Sequence, residues 1–217
     1  KSFIEHIAPL IQREGFSRGY SIVSTTIAQS IVEGACGTSG LAKNYHNHFG
    51  MKAGKSWKGK SVNMKTKEEY TPGQLTDIRD FFRAYDSDME GIEGYYDFID
   101  TKRYANLRDA KTYRQFAEYL KADGWATSSS YVNTLCNTVE KYKLTKYDEQ
   151  NIHLSYFPMY VGKTDSIVMA LDSLGVDSSK DNRRAIYNAN FTDAYTGSAK
   201  QNTAMLVLLK QGILIKP

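Results

Sequence analysis

Apolar positions recur at helical spacing through most of the chain. Phe3, Ile7, Leu10 and Ile11 fall on one stripe, and Val23, Ile27 and Ile31 form a second, flanked by Ile22, Thr26 and Ser30. Both stripes predict amphipathic helices. Ser24 or Thr25 is placed to cap the second helix, and Gly34 with Gly37 to end it, because glycine adopts the left-handed conformation at little cost. Between Trp57 and Arg83 the period changes. Ser61 to Thr66 alternates, Thr71-Pro72-Gly73 is turn chemistry, and short apolar pulses resume from Leu75 to Phe82, which predicts a small β-hairpin. Helical stripes then return with Tyr95, Phe98 and Ile99, with Phe116 and Leu120, and with Val132, Leu135 and Val139.

The stretch from Glu149 to Lys163 has no clear period and contains Pro158, as a linker or bridging strand would. Beyond it, Thr164 or Asp165 is placed to cap a helix carrying Ile167, Leu171 and Leu174, with Gly175 at its end. A second helix runs through Arg183 to Asn190, and a third carries Leu206, Leu209 and Ile213. The predicted fold is mainly α with a small β-hairpin lobe over residues 1–148, a linker at 149–163, and a small three-helix module over residues 164–217. Such a module is marginal alone, and is expected to lean on the larger domain or on a partner.

Composition changes this picture little. Hydrophobic residues make up 41% of the chain and charged residues 24%, which is the balance of a chain that buries a core. The net charge of +4 is spread evenly, without the basic stripe of a nucleic-acid binder, so no nucleic-acid partner is expected. A mild positive bias is compatible with an anionic polymer such as a cell wall. Cys36 and Cys136 are too few for a disulfide framework and are expected to be free thiols. No apolar run reaches the roughly 18 residues of a membrane span, and the N-terminus lacks a signal-peptide pattern, so neither membrane insertion nor an export signal is expected in this stretch.

Glu33 stands out chemically. It lies at the predicted C-terminal end of an apolar helix, beside a glycine-rich turn, where the helix end and poor solvation both oppose ionisation. A carboxyl that keeps its proton near neutral pH suits a general acid at a glycosidic oxygen, while a surface glutamate closing a helix would leave the same pattern. Glu68 and Glu69 lie in the hairpin, as a second carboxylate of a glycosidase or as solvated strand residues. Aromatic residues make up 12% of the chain, and Tyr45, Trp57, Tyr70, Tyr85, Trp125 and Tyr131 fall near predicted turns, where rings pack a core or stack on sugars. His46-Asn47-His48 invites a metal reading, but too few further ligands accompany it, and no metal or other cofactor is expected.

The string from Ala28-Gln29 through Glu33-Gly34-Ala35-Cys36-Gly37 to Ser39-Gly40-Leu41-Ala42, followed by Asn47-His48-Phe49-Gly50-Met51-Lys52, resembles the glucosaminidases of glycoside hydrolase family 73. Further agreement comes from Thr66 through Glu69-Tyr70, from Phe82-Arg83 with Tyr85 and Ser87, and from Gly124-Trp125-Ala126-Thr127 ahead of Tyr131. The resemblance spans nearly all of residues 1–148. It implies a lysozyme-like, mainly helical fold and hydrolysis of the β-1,4 bond between N-acetylglucosamine and N-acetylmuramic acid in peptidoglycan. The family's acid falls on Glu33, its hairpin glutamate on Glu69 with Glu68 as the fallback, and its motif tyrosine on Tyr131. Substrate contacts are expected at Ser39, Asn47, Phe49, Tyr70, Tyr85 and Trp125.

One departure affects the acid. The family's tryptophan beside it is replaced by Cys36, which predicts a weaker apolar wall and so a lower pKa for Glu33 or a wider groove. Water would be activated by Glu69, or displaced as first nucleophile by the substrate's own 2-acetamido group with Tyr131 stabilising the charge; the second route is favoured. The C-terminal stretch, with Ser173-Leu174-Gly175-Val176-Asp177, Asn182-Arg183-Arg184 and Gln201-Asn202-Thr203, resembles the wall-targeting modules that end many phage endolysins. These readings imply action outside the cell or at the wall, and a phage enzyme would reach it without a signal. The alternatives are a muramidase or lytic transglycosylase, and a non-catalytic wall-binding protein.

Overall fold

The computed structural model describes residues 2–71, 74–149, 155–191 and 193–217, and the side chains of 67–77 lie outside that description. The chain forms two compact units, Lys1–Gln150 and Asn151–Pro217. Among the described residues no helix is long and apolar enough to cross a membrane.

In the first unit, helix α1 (Phe3–Ser17) starts at a capping box. The Ser2 hydroxyl accepts from the Glu5 amide, and the Glu5 carboxylate accepts from the Ser2 amide. Helix α2 (Ser24–Glu33) is buried at each position from Ser24 to Ile31, so it lies inside the unit instead of on its surface. Around it pack α1, α5 (Tyr113–Ala122) and α6 (Tyr131–Lys141). Ile27 and Ala28 are fully buried there, and burying a side chain the size of Ile27 contributes about 1.5–3 kcal/mol.

Neither Ser24 nor Thr25 caps α2, contrary to the expectation from sequence. The cap comes from far along the chain: the Asp148 carboxylate accepts from the Val23 and Ser24 amides at 2.7 Å each and from the Ser24 hydroxyl at 2.6 Å. Asp148 follows a short 3-10 turn, Leu144–Tyr147, that packs on α2. Thr25 instead donates its hydroxyl to the Tyr113 carbonyl at 2.9 Å, tying α2 to α5.

Short α3 (Gly40–Tyr45) precedes an antiparallel hairpin of β1 (Ser61–Thr71) and β2 (Gln74–Arg83), paired from Ser61 opposite Arg83 to Thr71 opposite Gln74. The base of the hairpin is stitched to the preceding loop, because the Ala53 amide donates to Phe81 and the Arg83 amide to Met51. Helix α4 (Asp88–Ile99) is capped by Ser87, and a 3-10 segment, Lys102–Asp109, leads on to α5.

The second unit holds α7 (Ile167–Ser173), α8 (Lys180–Asn190) and α9 (Ala199–Lys210) around Ile167, Leu171, Ile186, Met205 and Leu209. Ser166, not Thr164 or Asp165, caps α7, with its hydroxyl accepting from the Met169 amide. Ile213 lies beyond α9, on a turn whose amide donates to the Leu208 carbonyl. The described part of the expected linker or bridging strand is built into this unit. Tyr156 bridges to Ile215, the Phe157 amide donates to Leu214, and the Phe157 ring is buried among the helices. Buried Gln201 clamps the loop before α9: its Oε1 accepts from the Thr196 and Gly197 amides, and its Nε2 donates to the Ala194 carbonyl.

Candidate active site

Glu33 is the last residue of α2, and the turn after it determines what surrounds its carboxyl. Gly34 is not left-handed, with φ −87°. Its lack of a side chain serves a close approach, since a Cβ there would lie 2.7 Å from the Ser30 carbonyl oxygen and 3.1 Å from that of His48. The left-handed turn falls on Ala35, Cys36 and Gly37, at φ 49°, 52° and 76°. The loop that carries His48 and Phe49 is thereby brought against the end of α2. A Cβ on Gly50 would stand only 3.9 Å from a Glu33 carboxylate oxygen.

The carboxyl faces a groove of about 670 Å³ whose walls include Phe49, Arg83, Phe98, Arg103, Tyr104 and Trp125. Glu33 reaches solvent through this groove, yet the protein around the groove floor desolvates it. Desolvation is the largest influence and pushes its pKa up, while hydrogen bonds with Tyr131 and Trp125 oppose the rise. Tyr131 opens α6, and burial followed by the nearby Glu33 charge keeps its hydroxyl protonated far above its ordinary range. The apolar wall is built from more distant parts of the chain. Phe49 stacks on Tyr95 with centroids 4.0 Å apart, and Trp125 packs edge-on against Tyr95, Phe98 and Tyr104. Cys36 is exposed and is not part of this lining, and both it and buried Cys136 are free thiols.

Of the residues singled out from sequence, Glu33, Phe49, Trp125 and Tyr131 come together here. Three others lie outside the groove lining. Asn47 is buried and staples its own loop, accepting from the Met51 amide at 3.0 Å and donating to the Met51 and Arg83 carbonyls at 2.9 Å. Ser39 caps α3 by accepting from the Ala42 amide. Tyr85 is wedged against α4 where Gly94 leaves room, since a Cβ on Gly94 would be 2.5 Å from the Tyr85 hydroxyl. Glu69 sits opposite Leu75 near the hairpin turn, but its side chain, like those of Glu68 and Tyr70, lies outside the described residues.

His46 and His48 converge with His6 on Asp88, each ring nitrogen 2.7 Å from a carboxylate oxygen. Among the described residues no group of histidine, cysteine, aspartate and glutamate is arranged to hold a metal. Arg83 and Arg103 in the groove, and Gln29 and Tyr95 behind Tyr131, have no site role assigned from sequence, although Arg83 and Gln29 stand in the matched motifs. The run of basic and aromatic residues around positions 83 and 103 also signals the first pair. Burial of a glutamine within an apolar helix signals the second.

The residues of this groove fall within the part of the chain, residues 8–144, that the glucosaminidase family, described as mannosyl-glycoprotein endo-beta-N-acetylglucosaminidase, matches. The chain belongs to the glucosaminidase family. It is 32% identical over 159 residues to the exo-glucosaminidase LytG of Bacillus subtilis (strain 168), covering 70% of this chain and 55% of LytG. The chain thus spans about half, or less, of the length of the curated relatives it matches. Among solved structures, a peptidoglycan hydrolase mutant from Sphingomonas sp. A1 is similar at 30% identity and TM-score 0.59, covering 67% of this chain and 96% of that one. The catalytic domain of the autolysin Auto from Listeria monocytogenes is similar at 29% identity and TM-score 0.58, covering 67% and 85%. The lysozyme-like, mainly helical fold expected for the first unit is the fold shared with these structures.

Proposed function

We propose that the chain is a peptidoglycan hydrolase that cuts the β-1,4 bond between N-acetylglucosamine and N-acetylmuramic acid, with Glu33 as general acid. The observation that carries this reading is the place of the Glu33 carboxyl, at the end of α2 on the lining of a groove walled by Phe49, Phe98, Tyr104 and Trp125, where desolvation pushes its pKa up. Glu33 gives its proton to the glycosidic oxygen as the bond to the anomeric carbon breaks. The carbonyl oxygen of the 2-acetamido group closes on that carbon from the other face, forming an oxazolinium ring. Glu33, now a carboxylate, takes a proton from the water that reopens the ring. This route needs only one carboxylate at the reacting carbon, and Glu69 would otherwise serve as base for the water. Arg83 and Arg103 on the groove walls suit the carboxylates of stem peptides.

In the same reading the second unit binds the wall and keeps the catalytic unit on its polymer. Its cavity of about 420 Å³, lined by Tyr187, Phe191, Asp193, Lys200 and Gln201, supports a binding role. The place of action is then the bacterial wall.

Digestion of purified Gram-positive peptidoglycan, followed by borohydride reduction and mass spectrometry, tests the reading. Reduced N-acetylglucosamine ends are expected from the wild type, and a loss of roughly a thousandfold from Glu33→Gln. Reduced or anhydro muramic ends would make the enzyme a muramidase or lytic transglycosylase, and release of single N-acetylglucosamine units from chain ends would make the cut an exo one. Undigested wall carrying bound protein would leave only a binding protein.

A further inference from the structure

Gln29 lies one turn before Glu33 on α2 and is fully buried, so both ends of its amide need partners. Each has one. The Tyr95 hydroxyl donates to Gln29 Oε1 at 2.5 Å, and Gln29 Nε2 donates to the Tyr131 hydroxyl oxygen at 3.0 Å. Tyr95 is fully buried and Tyr131 is 7% exposed, so no water competes freely for these bonds. An amide oxygen only accepts and an amide nitrogen only donates. With the oxygen turned to Tyr95, the amide offers Tyr131 nothing to donate to. The Tyr131 hydrogen is then free to turn to the Glu33 carboxyl, which acts on this hydroxyl through charge and hydrogen bonding.

We propose that Gln29, anchored by Tyr95, is a positioning residue that sets the direction of the Tyr131 hydroxyl, so that Tyr131 donates to Glu33. The inference rests on the reading of Glu33 as the general acid. Neither Gln29 nor Tyr95 lines the groove, so both act through Tyr131. A hydroxyl already aimed at Glu33 stabilises the carboxylate left when the proton has gone to the leaving oxygen, and costs no reorientation at that moment. Removal of the Tyr95 hydroxyl lets the amide turn over. Gln29 then accepts from Tyr131 and draws its hydrogen away from the acid. The hydrogen bond from Tyr131 favours the charged form of Glu33, so its loss raises the pKa of the acid.

The test is the pH dependence of kcat/KM on soluble peptidoglycan oligosaccharides for the wild type, Gln29→Met, Tyr95→Phe, Tyr131→Phe and the double variant Gln29→Met/Tyr131→Phe. The alkaline limb, where Glu33 loses its proton, is expected to move up by roughly half to one pH unit in Tyr95→Phe, where the freed amide turns its oxygen to Tyr131, and by much less in Gln29→Met, which leaves no amide oxygen to draw the hydrogen away. In Tyr95→Phe kcat is expected to fall about tenfold with KM nearly unchanged. Adding Gln29→Met to Tyr131→Phe is expected to shift the limb no further, because the path through Tyr131 is already broken. Should Gln29→Met fail to fold, Tyr95→Phe, which removes one oxygen, carries the test. An unmoved limb in folded Tyr95→Phe, or a full further shift in the double variant, overturns the positioning role. Glu33→Gln separates the two readings: if it is inactive while the limb stays put, only the positioning role falls, and if it keeps activity, both fall.

Discussion

Asp88 shows how much one buried carboxylate does near the site. Its two oxygens accept from His6, His46 and His48, which joins α1, the loop beside Glu33 and the start of α4 at one point. Burial alone pushes this carboxyl up, but the hydrogen bonds from His48, His6 and His46 together outweigh it and hold Asp88 well below the usual carboxylate range. A pKa depressed by folding stabilises the fold above the unfolded value of about 4, and that contribution is lost as pH falls towards the folded value. Asp88→Asn is therefore expected to lower stability by about 1–3 kcal/mol at neutral pH. Urea unfolding at pH values from 7 down to 3 checks this: the gap between wild type and variant is expected to narrow below about pH 4, and a constant gap would refute the assignment. The histidine run was visible in sequence, but its role was not, since its acceptor lies forty residues later and its third member on α1. Glu33, Phe49, Trp125 and Tyr131 were legible from motifs and from the chemistry of a helix end. Gln29 and Tyr95 were not, because their function lies in a contact across 66 residues of chain.

At the level of elements, the same contrast between local and distant causes decides what each helix tolerates. Apolar stripes on α1, α2, α5 and α6 were readable because a helix must turn one face, or in α2 nearly all faces, to the core. Caps and close approaches were not readable, as the Asp148 cap of α2 and the role of Gly34 show. Helix α4 carries the sharpest case. Gly91 lies inside it, where alanine is ordinarily better by about 1 kcal/mol. Here a Cβ would stand 2.0 Å from the His46 carbonyl oxygen, a backbone atom that cannot rotate away. Gly91→Ala is thus expected to destabilise by about 1–3 kcal/mol, the range of an overpacked core, and to displace the loop leading to Phe49. Thermal unfolding reads the first effect and kcat the second, and a stabilised variant would show that the helix and loop are less closely packed than described.

For the whole molecule, the candidate site falls in one of the two compact units. The first holds the groove, the Glu33 carboxyl and the residues around it, all within Lys1–Gln150. The second buries a core drawn from α7, α8, α9 and the strand-like stretch at Phe157, and places no residue among those lining that groove. Division at about residue 150 was foreshadowed by the loss of periodicity after Asp148. The absorption of Tyr156 and Phe157 into the second unit was not, because a short bridge to Ile215 leaves no periodic trace. If the second unit is a tether, its removal changes the local concentration of substrate and leaves the chemistry alone. A chain ending at Gln150 is expected to hydrolyse soluble oligosaccharides at close to the wild-type kcat, while lysing intact walls at least tenfold more slowly at low enzyme concentration. The deficit on walls is expected to shrink as enzyme concentration rises, since mass action replaces the tether. Equal loss on both substrates would mean that the second unit supports the fold of the first, and no loss on either would remove its wall-binding role.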